Sequence, residues 1–300
     1  MEGIVLVGGI PVAETEMAED PQAPVRHSGI AQIVHSQQSD LAVSHCPLSA
    51  VRSGPSAIAE RLRENVILAA DAETDADLDA LAEAALSVSP APILAGSAGL
   101  AAALARRVLP APKRTRWPAG NAGPVLAILA SSSTATARQV SAAASHPGAT
   151  IIRLRCGNLT RRDEEISELG EAMAQAKRAL QAGGDVVVHA AGPLPRVERP
   201  VELVVEHLAH LAFVLIKQVH TSGLLVGGGE TAHAVLAAAG AEAVEADDEP
   251  LAGMAAGVVV GGELAGRPVV LKPGAAGDRE AVVRLLQYLR RRAAAAPSAK

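Results

Sequence analysis

The chain has 300 residues, 49% of them hydrophobic, which is ample for two domains of ordinary size. A net charge of -5 and a pI near 6.0 leave no electrostatic footprint for nucleic acid, and Trp117, Phe213 and Tyr288 are too few aromatics for a single-strand stacking surface. Cys46 and Cys156, the only cysteines, show no CxxC spacing, so neither a disulfide framework nor a zinc site is indicated.

In chain order, residues 4–7 read as a short strand, 21–28 as a loop and 30–37 as a short helix. A strand at 66–70 precedes a helix at 74–86, capped by Thr74 or Asp75, with Leu78, Leu81, Ala82 and Ala85 on one face. Residues 93–95 read as a strand running into Gly96, Ser97, Ala98 and Gly99, then a helix to Val108. The stretch 109–124 is dense in Pro, Gly and charge and lacks periodicity. It sets a linker at 111–123 between a first domain, 1–110, and a second, 124–292. In the second, strands at 125–129, 150–154, 185–189 and 223–226 alternate with helices at 135–145, 162–182, 201–220 and 231–240. A hairpin of 258–260 with 269–271 follows. Asp278 then caps a last helix with a buried stripe of Val282, Leu285, Leu286 and Leu289, and Arg290 to Arg292 suit its carboxyl end. Residues 293–300 read as a disordered tail. Strands alternating with helices argue for an α/β fold with a mostly parallel sheet in each domain.

Three strand-to-helix bends are built from small residues: Gly227-Gly228-Gly229-Glu230-Thr231, Ala130-Ser131-Ser132-Ser133-Thr134 and Gly96-Ser97-Ala98-Gly99. Small residues let backbone approach a ligand, and the unpaired amides and dipole of a helix start favour an anion there. A phosphate is the natural occupant; a plain tight turn is the alternative. Lys272-Pro273-Gly274-Ala275-Ala276-Gly277-Asp278 is a fourth glycine-punctuated loop. Gly274 and Gly277 suggest close backbone approach, and Lys272 reads equally as a phosphate neutraliser or an edge-strand lysine. No Gly-Lys-Ser/Thr ending exists, which excludes a P-loop NTPase, and a Rossmann Gly-x-Gly-x-x-Gly is absent. Glu230 is placed to hold magnesium through water, whereas Asp247, Asp248 and Glu249 read as solvated surface. His189, His207 and His210 read as structural, and the serine loop is not a Gly-x-Ser-x-Gly nucleophile turn. The amino terminus lacks a basic n-region, and no run approaches the roughly 20 apolar residues of a membrane span, so a soluble, cytoplasmic protein is expected.

The order Ala-Ser-Ser-Ser-Thr-Ala-Thr-Ala-Arg-Gln, Gly-Gly-Glu-Thr-Ala, Lys-Pro-Gly-Ala-Ala-Gly-Asp resembles the four-carbon acid sugar kinases. Upstream, the resemblance takes in residues 9–12, 20–28, 71–78 and 96–101. It implies two α/β domains with a ligand cleft between them, ATP on the carboxy-terminal one and a sugar acid of threonate, erythronate or 3-oxo-tetronate type on the other. By the same resemblance, Ser131 and Ser133 contact the nucleotide, and Gly228, Gly229, Glu230 and Thr231 wrap its phosphates. Lys272, Gly274 and Gly277 line that pocket. Ser97 and Gly99 face the cleft from the substrate side, and Arg26 and Ser28 are candidates for the acid's carboxylate. The implied ligands are ATP, Mg2+ and the sugar acid, with no nucleic acid, no membrane and the oligomeric state open, a homo-oligomer included.

The family's Asp-Asp-x-Thr-Gly-Ala and Asp-Ser-Thr-x-Arg-Gly stretches do not occur, and the chain reads as starting after them. A residue that positions or deprotonates the attacking hydroxyl is expected from that part, so no catalytic residue and no protein metal ligand is assigned. Milder departures are Ala130 for glycine, Ala232 for serine and Ala276 for phenylalanine. The alternative reading is an ATP-binding module, or a truncated and catalytically incomplete remnant that needs a partner chain.

Overall fold

A computed structural model of the chain describes residues 1–19, 23–110, 117, 122–130, 133–160, 162–192 and 197–295. Contacts divide the chain into two units, Met1–Pro112 and Lys113–Lys300. Among the described residues no helix is long and apolar enough to cross a membrane.

In the first unit, β1 (Leu6–Val7) and β2 (Ile10–Pro11) form a minimal antiparallel pair, followed by two 3-10 turns and α1 (Ile30–Gln37). β3 (Val43–Cys46), α2 (Leu48–Val51), α3 (Pro55–Glu64) and β4 (Ile67–Ala70) make a parallel crossover unit. α4 (Asp75–Ser87) starts on a capping box: the Thr74 hydroxyl accepts from the Asp77 amide, and the Asp77 carboxylate accepts from the Thr74 amide. Arg52 holds the Asp77 carboxyl well below the usual carboxylate range. α5 (Ala98–Val108) packs against α4, and a Cβ on Gly99 would come 2.7 Å from Leu78 Cδ1. The small core gathers Cys46, Val51, Ile58, Ala59, Ala84 and Val88. Residues 93–95 are not a strand, and Ile93 is fully exposed, because a three-residue apolar run with no pairing partner has nowhere to bury itself. β3 and α3 had no counterpart in the sequence reading.

The second unit is a seven-stranded sheet in the order β6-β7-β5-β8-β11-β10-β9. It runs through β5 (Val125–Leu129), α6 (Thr134–Ala144), β6 (Ala149–Arg155), α7 (Arg162–Gln181) and β7 (Asp185–Ala191). α8 (Pro200–Gln218), β8 (Gly223–Gly227), α9 (Gly229–Ala238), β9 (Ala243–Leu251), β10 (Met254–Val260), β11 (Pro268–Lys272) and α10 (Ala281–Ala295) follow. β6, β7, β5, β8 and β11 are parallel, whereas β10 runs antiparallel to β11 and β9. Side chains alternate across β5, so Leu126 and Ile128 join the core under α7, α8 and α9 while Val125, Ala127 and Leu129 join the core under α6 and α10. The predicted stripe Val282, Leu285, Leu286 and Leu289 is fully buried there. Both faces are therefore covered, as a parallel sheet requires.

Three expectations change in this unit. α10 extends to Ala295, so 293–295 are helical rather than tail. Asp247 and Asp248 are not solvated surface: they lie on β9, a strand the sequence reading missed, and both pair with Arg292. Arg292 also stacks 4.5 Å from the Trp117 ring centroid, with Trp117 and Tyr288 edge to face. Burial, with the Asp248 carboxylate beside it, pushes the Tyr288 hydroxyl up to about 12. Arg290 reaches Asp185 and the carbonyl of Gly183, so these arginines make specific partners rather than generic dipole contacts.

Candidate functional site

The chain leaves β5 through α6 towards β6 on one side, and leaves β8 through α9 towards β9 on the other. β5 and β8 are neighbours, so their carboxyl ends form a topological switch point, where open α/β sheets leave a crevice. In the ladder Leu129 stands opposite Gly227, and Gly227 opposite Lys272. The carboxyl ends of β5, β8 and β11 consequently lie side by side at one edge. That register brings together Ser133, Gly228, Gly229, Glu230, Thr231, Lys272, Gly274 and Gly277, while Ser131 and Ser132 lie outside the described residues.

Local chemistry differs at each position. Gly228 has φ +100°, a region an L side chain rarely adopts, and its amide donates to the Lys272 carbonyl at 2.9 Å, knitting the β8 bend to β11. Gly229 opens α9; it is exposed, and a Cβ there would meet nothing within 4 Å. Glu230 is exposed on the first turn of α9, and Thr231 is buried behind it. The Ser133 hydroxyl caps α6 by accepting from the Thr136 amide at 3.2 Å. Lys272 is not an edge-strand lysine, because β11 lies between β8 and β10. It is buried, its ammonium donates to the carbonyls of Pro273 (3.0 Å) and Gly274 (2.7 Å), and desolvation lowers its pKa to about 8.

α6 also straps the loop that follows Lys272. The Thr136 hydroxyl donates to the Gly274 carbonyl at 2.8 Å, and Gln139 Nε2 donates to the carbonyls of Ala276 and Gly277, each at 3.0 Å. Both side chains are buried, and Gln139 Oε1 accepts no hydrogen bond among the described residues. The sequence reading missed these two residues. Their signal was a threonine and a glutamine three apart on an alanine-rich helix, one face of which had to be polar and inward.

Other predicted residues are engaged elsewhere. Gly277 has φ +90°, and a Cβ there would come 2.6 Å from both Ala281 Cβ and Met254 Cε, so the missing side chain makes room for α10 and β10. Gly99 likewise accommodates Leu78, and Ser97 precedes α5 with no capping hydrogen bond from its side chain. In the first unit Arg26 is exposed, and the Ser28 hydroxyl accepts from the Ala13 amide at 3.0 Å, a turn-holding contact.

The two units correspond to a sugar-binding and a nucleotide-binding class of domain. A family model described as "Sugar-binding N-terminal domain" matches residues 1–104, and one described as "Nucleotide-binding C-terminal domain" matches 126–282. A D-threonate kinase of Bordetella bronchiseptica is 31% identical over 97% of this chain and 67% of its own length. A 3-oxo-tetronate kinase of Methylobacterium radiotolerans is 31% identical over 96% of the chain and 70% of its own. A crystal structure of a domain of unknown function from Bordetella bronchiseptica, a domain-swapped dimer with bound citrate, superposes with TM-score 0.51 at 30% identity, covering 97% of this chain and 68% of that one. The chain belongs to the four-carbon acid sugar kinase family.

Proposed function

We propose that this protein transfers the γ-phosphoryl group of ATP to a hydroxyl of a four-carbon sugar acid of threonate, erythronate or 3-oxo-tetronate type. The observation that carries the reading is the side-by-side register of the carboxyl ends of β5, β8 and β11 at the β5–β8 switch point. Amides at the start of α9, with no side chain at Gly228 or Gly229 to obstruct them, would receive the phosphates. Ser131 and Ser133 would contact the nucleotide from the β5 bend, and Thr231 and Gly274 would close the pocket. Lys272 would supply positive charge from beneath while ordering its own loop. The sugar acid would bind the first unit, with Arg26, Ser28, Ser97 and Gly99 as the candidate positions.

Among the described residues no group of three or more His, Cys, Asp or Glu could hold a metal ion by itself. Magnesium is usually held by one or two carboxylates together with the substrate's phosphates, and Glu230 on the first turn of α9 would be the carboxylate for it. Bound there, the ion would supply neutralising charge to the nucleotide's phosphates. ATP as the donor is consistent with a cytoplasmic location, and the related crystal dimer supports a homo-oligomer.

A second reading has its own support. The second reading is an ATP-binding module, or a catalytically incomplete remnant that needs a partner chain; the chain spans 67% to 70% of the length of the relatives above. Calorimetric titration with Mg-ATP, run beside an ADP-release assay with D-threonate, D-erythronate and 3-oxo-tetronate, separates the two. Turnover by the chain alone supports the kinase; ATP binding without turnover supports the module; no ATP binding overturns both.

A further inference from the structure

The carboxyl ends of β5, β8 and β11 are joined by one chain of hydrogen bonds, and a single buried side chain stands in the middle of it. The Ser133 hydroxyl, at the start of α6, donates to Thr136 Oγ1 at 3.1 Å. The Thr136 hydroxyl in turn donates to the Gly274 carbonyl at 2.8 Å. That same carbonyl accepts from the Lys272 ammonium at 2.7 Å, and the Lys272 carbonyl accepts from the Gly228 amide at 2.9 Å. Ser133 follows β5, Gly228 follows β8, Lys272 ends β11 and Gly274 lies just beyond it. Every link falls within the second unit.

Thr136 is 1% exposed, too deep for a ligand to touch, so it acts through its neighbours. A backbone carbonyl has two acceptor sites, and at Gly274 the two donors fill both. Holding that carbonyl from α6 fixes one of the two acceptors that aim the Lys272 ammonium, the other being the Pro273 carbonyl at 3.0 Å. A lysine ammonium sits on a flexible four-carbon stem and takes its direction from its acceptors. Lys272 is itself buried, and a desolvated charge is costly unless its hydrogen bonds are made. At the other end, the Thr136 amide donates to Ser133 Oγ at 3.2 Å, so Thr136 both donates to and accepts from that serine. Gln139, the second strap on the loop, donates to Ala276 and Gly277 and to neither Ser133 nor Lys272.

We propose that Thr136 is a positioning residue for the nucleotide: through Gly274 it sets the direction of the Lys272 ammonium, and through Ser133 it ties that direction to the β5 bend. Ser133 and Lys272 then meet a nucleotide as a coupled pair rather than as two separate contacts. The role rests on the reading that this unit binds ATP, and it holds for a complete kinase and for an ATP-binding module alike.

The test is calorimetric titration of the full chain with Mg-ATP, with thermal unfolding as the control for folding. Thr136→Val keeps the shape and removes the hydroxyl, and it is expected to weaken ATP binding by about fivefold to tenfold. Thr136→Ser keeps the hydroxyl and is expected to bind within about twofold of wild type. A role confined to packing reverses that order, because valine fills the space and serine leaves it short of a methyl group. A double-mutant cycle supplies the second readout. Ser133→Ala and Lys272→Met, alone and together, are expected to depart from additivity in ATP affinity by about threefold or more. The cycle leaves Thr136 in place, so it settles the coupling even where Thr136→Val fails to fold. Additive effects in that cycle, a folded Thr136→Val with wild-type affinity, or a Thr136→Ser that binds more weakly than Thr136→Val each overturn the positioning role while the ATP reading stands. A wild-type chain that binds no ATP overturns both.

Discussion

Lys272 and Gly229, at the carboxyl end of the same sheet, show how differently two neighbouring positions are constrained. Lys272 is a cation whose folded pKa, about 8, lies below its ordinary 10.5 because burial penalises the charge. The stability it contributes is therefore present above pH 10.5 and is lost as pH falls through about 8. The charge is the form a phosphate would bind, so nucleotide affinity should run the opposite way. ATP affinity is expected to fall by about tenfold between pH 7 and pH 9.5 in calorimetric titrations, and Lys272→Met should flatten that dependence. Gly229 has open space where a Cβ would stand and is exposed. Gly229→Leu is accordingly expected to leave the unfolding midpoint within about 0.5 kcal/mol of wild type while abolishing ATP binding. Retained affinity in that variant would count against the β8 bend as a phosphate site.

At the scale of elements, α6 and the loop after β11 act as one piece. Three carbonyls of the loop, those of Gly274, Ala276 and Gly277, are held by Thr136 and Gln139, and Gly274 takes a second donor from Lys272. A glycine-containing loop carries high conformational entropy, so such donors decide whether it keeps one shape. Gln139→Leu removes the donor to two of these carbonyls, and urea unfolding is expected to register a loss of roughly 1–3 kcal/mol. If the loop lines the nucleotide pocket, the same variant weakens ATP binding; unaltered ATP affinity in a folded Gln139→Leu protein would separate the strap from the site.

Across the second unit, Asp185 ties distant parts of the chain together. Its carboxylate accepts from the Val125 amide at 2.7 Å and from Arg290 Nε at 2.8 Å, linking β7, β5 and α10. Burial pushes its pKa up from 3.8, although Val125 and Arg290 act against the shift. For this raised acid, the associated stability is fully present below pH 3.8 and is lost as pH rises through the folded pKa. The hydrogen bonds matter more at neutral pH: Asp185→Ala strands a buried amide and is expected to cost roughly 1–3 kcal/mol. Calorimetry should place that loss in the transition of the second unit and leave the first unit's transition unmoved. Trp117, the sole tryptophan, reports on the same unit through its stacking with Arg292.

Much of this architecture is legible in local sequence. The buried parallel strands announce themselves as unbroken apolar runs, the Thr74 cap by its spacing, and the α10 stripe by its period of three and four. The family resemblance rests on motif order, which is also a property of the chain alone. What sequence left undecided were matters of partnership. The acids of β9 look like solvated surface until the fold brings Arg292 to them, and what the missing side chain of Gly277 makes room for is undecided until Met254 and Ala281 are set against it. Lys272 could be an edge lysine until β10 covers its strand, and the Thr136–Gly274 hydrogen bond joins residues 138 positions apart. Periodicity and caps act over a few residues, so they can be read from composition and spacing. Which buried donor meets which acceptor depends on strand order and register, and those are settled only when the whole sheet packs.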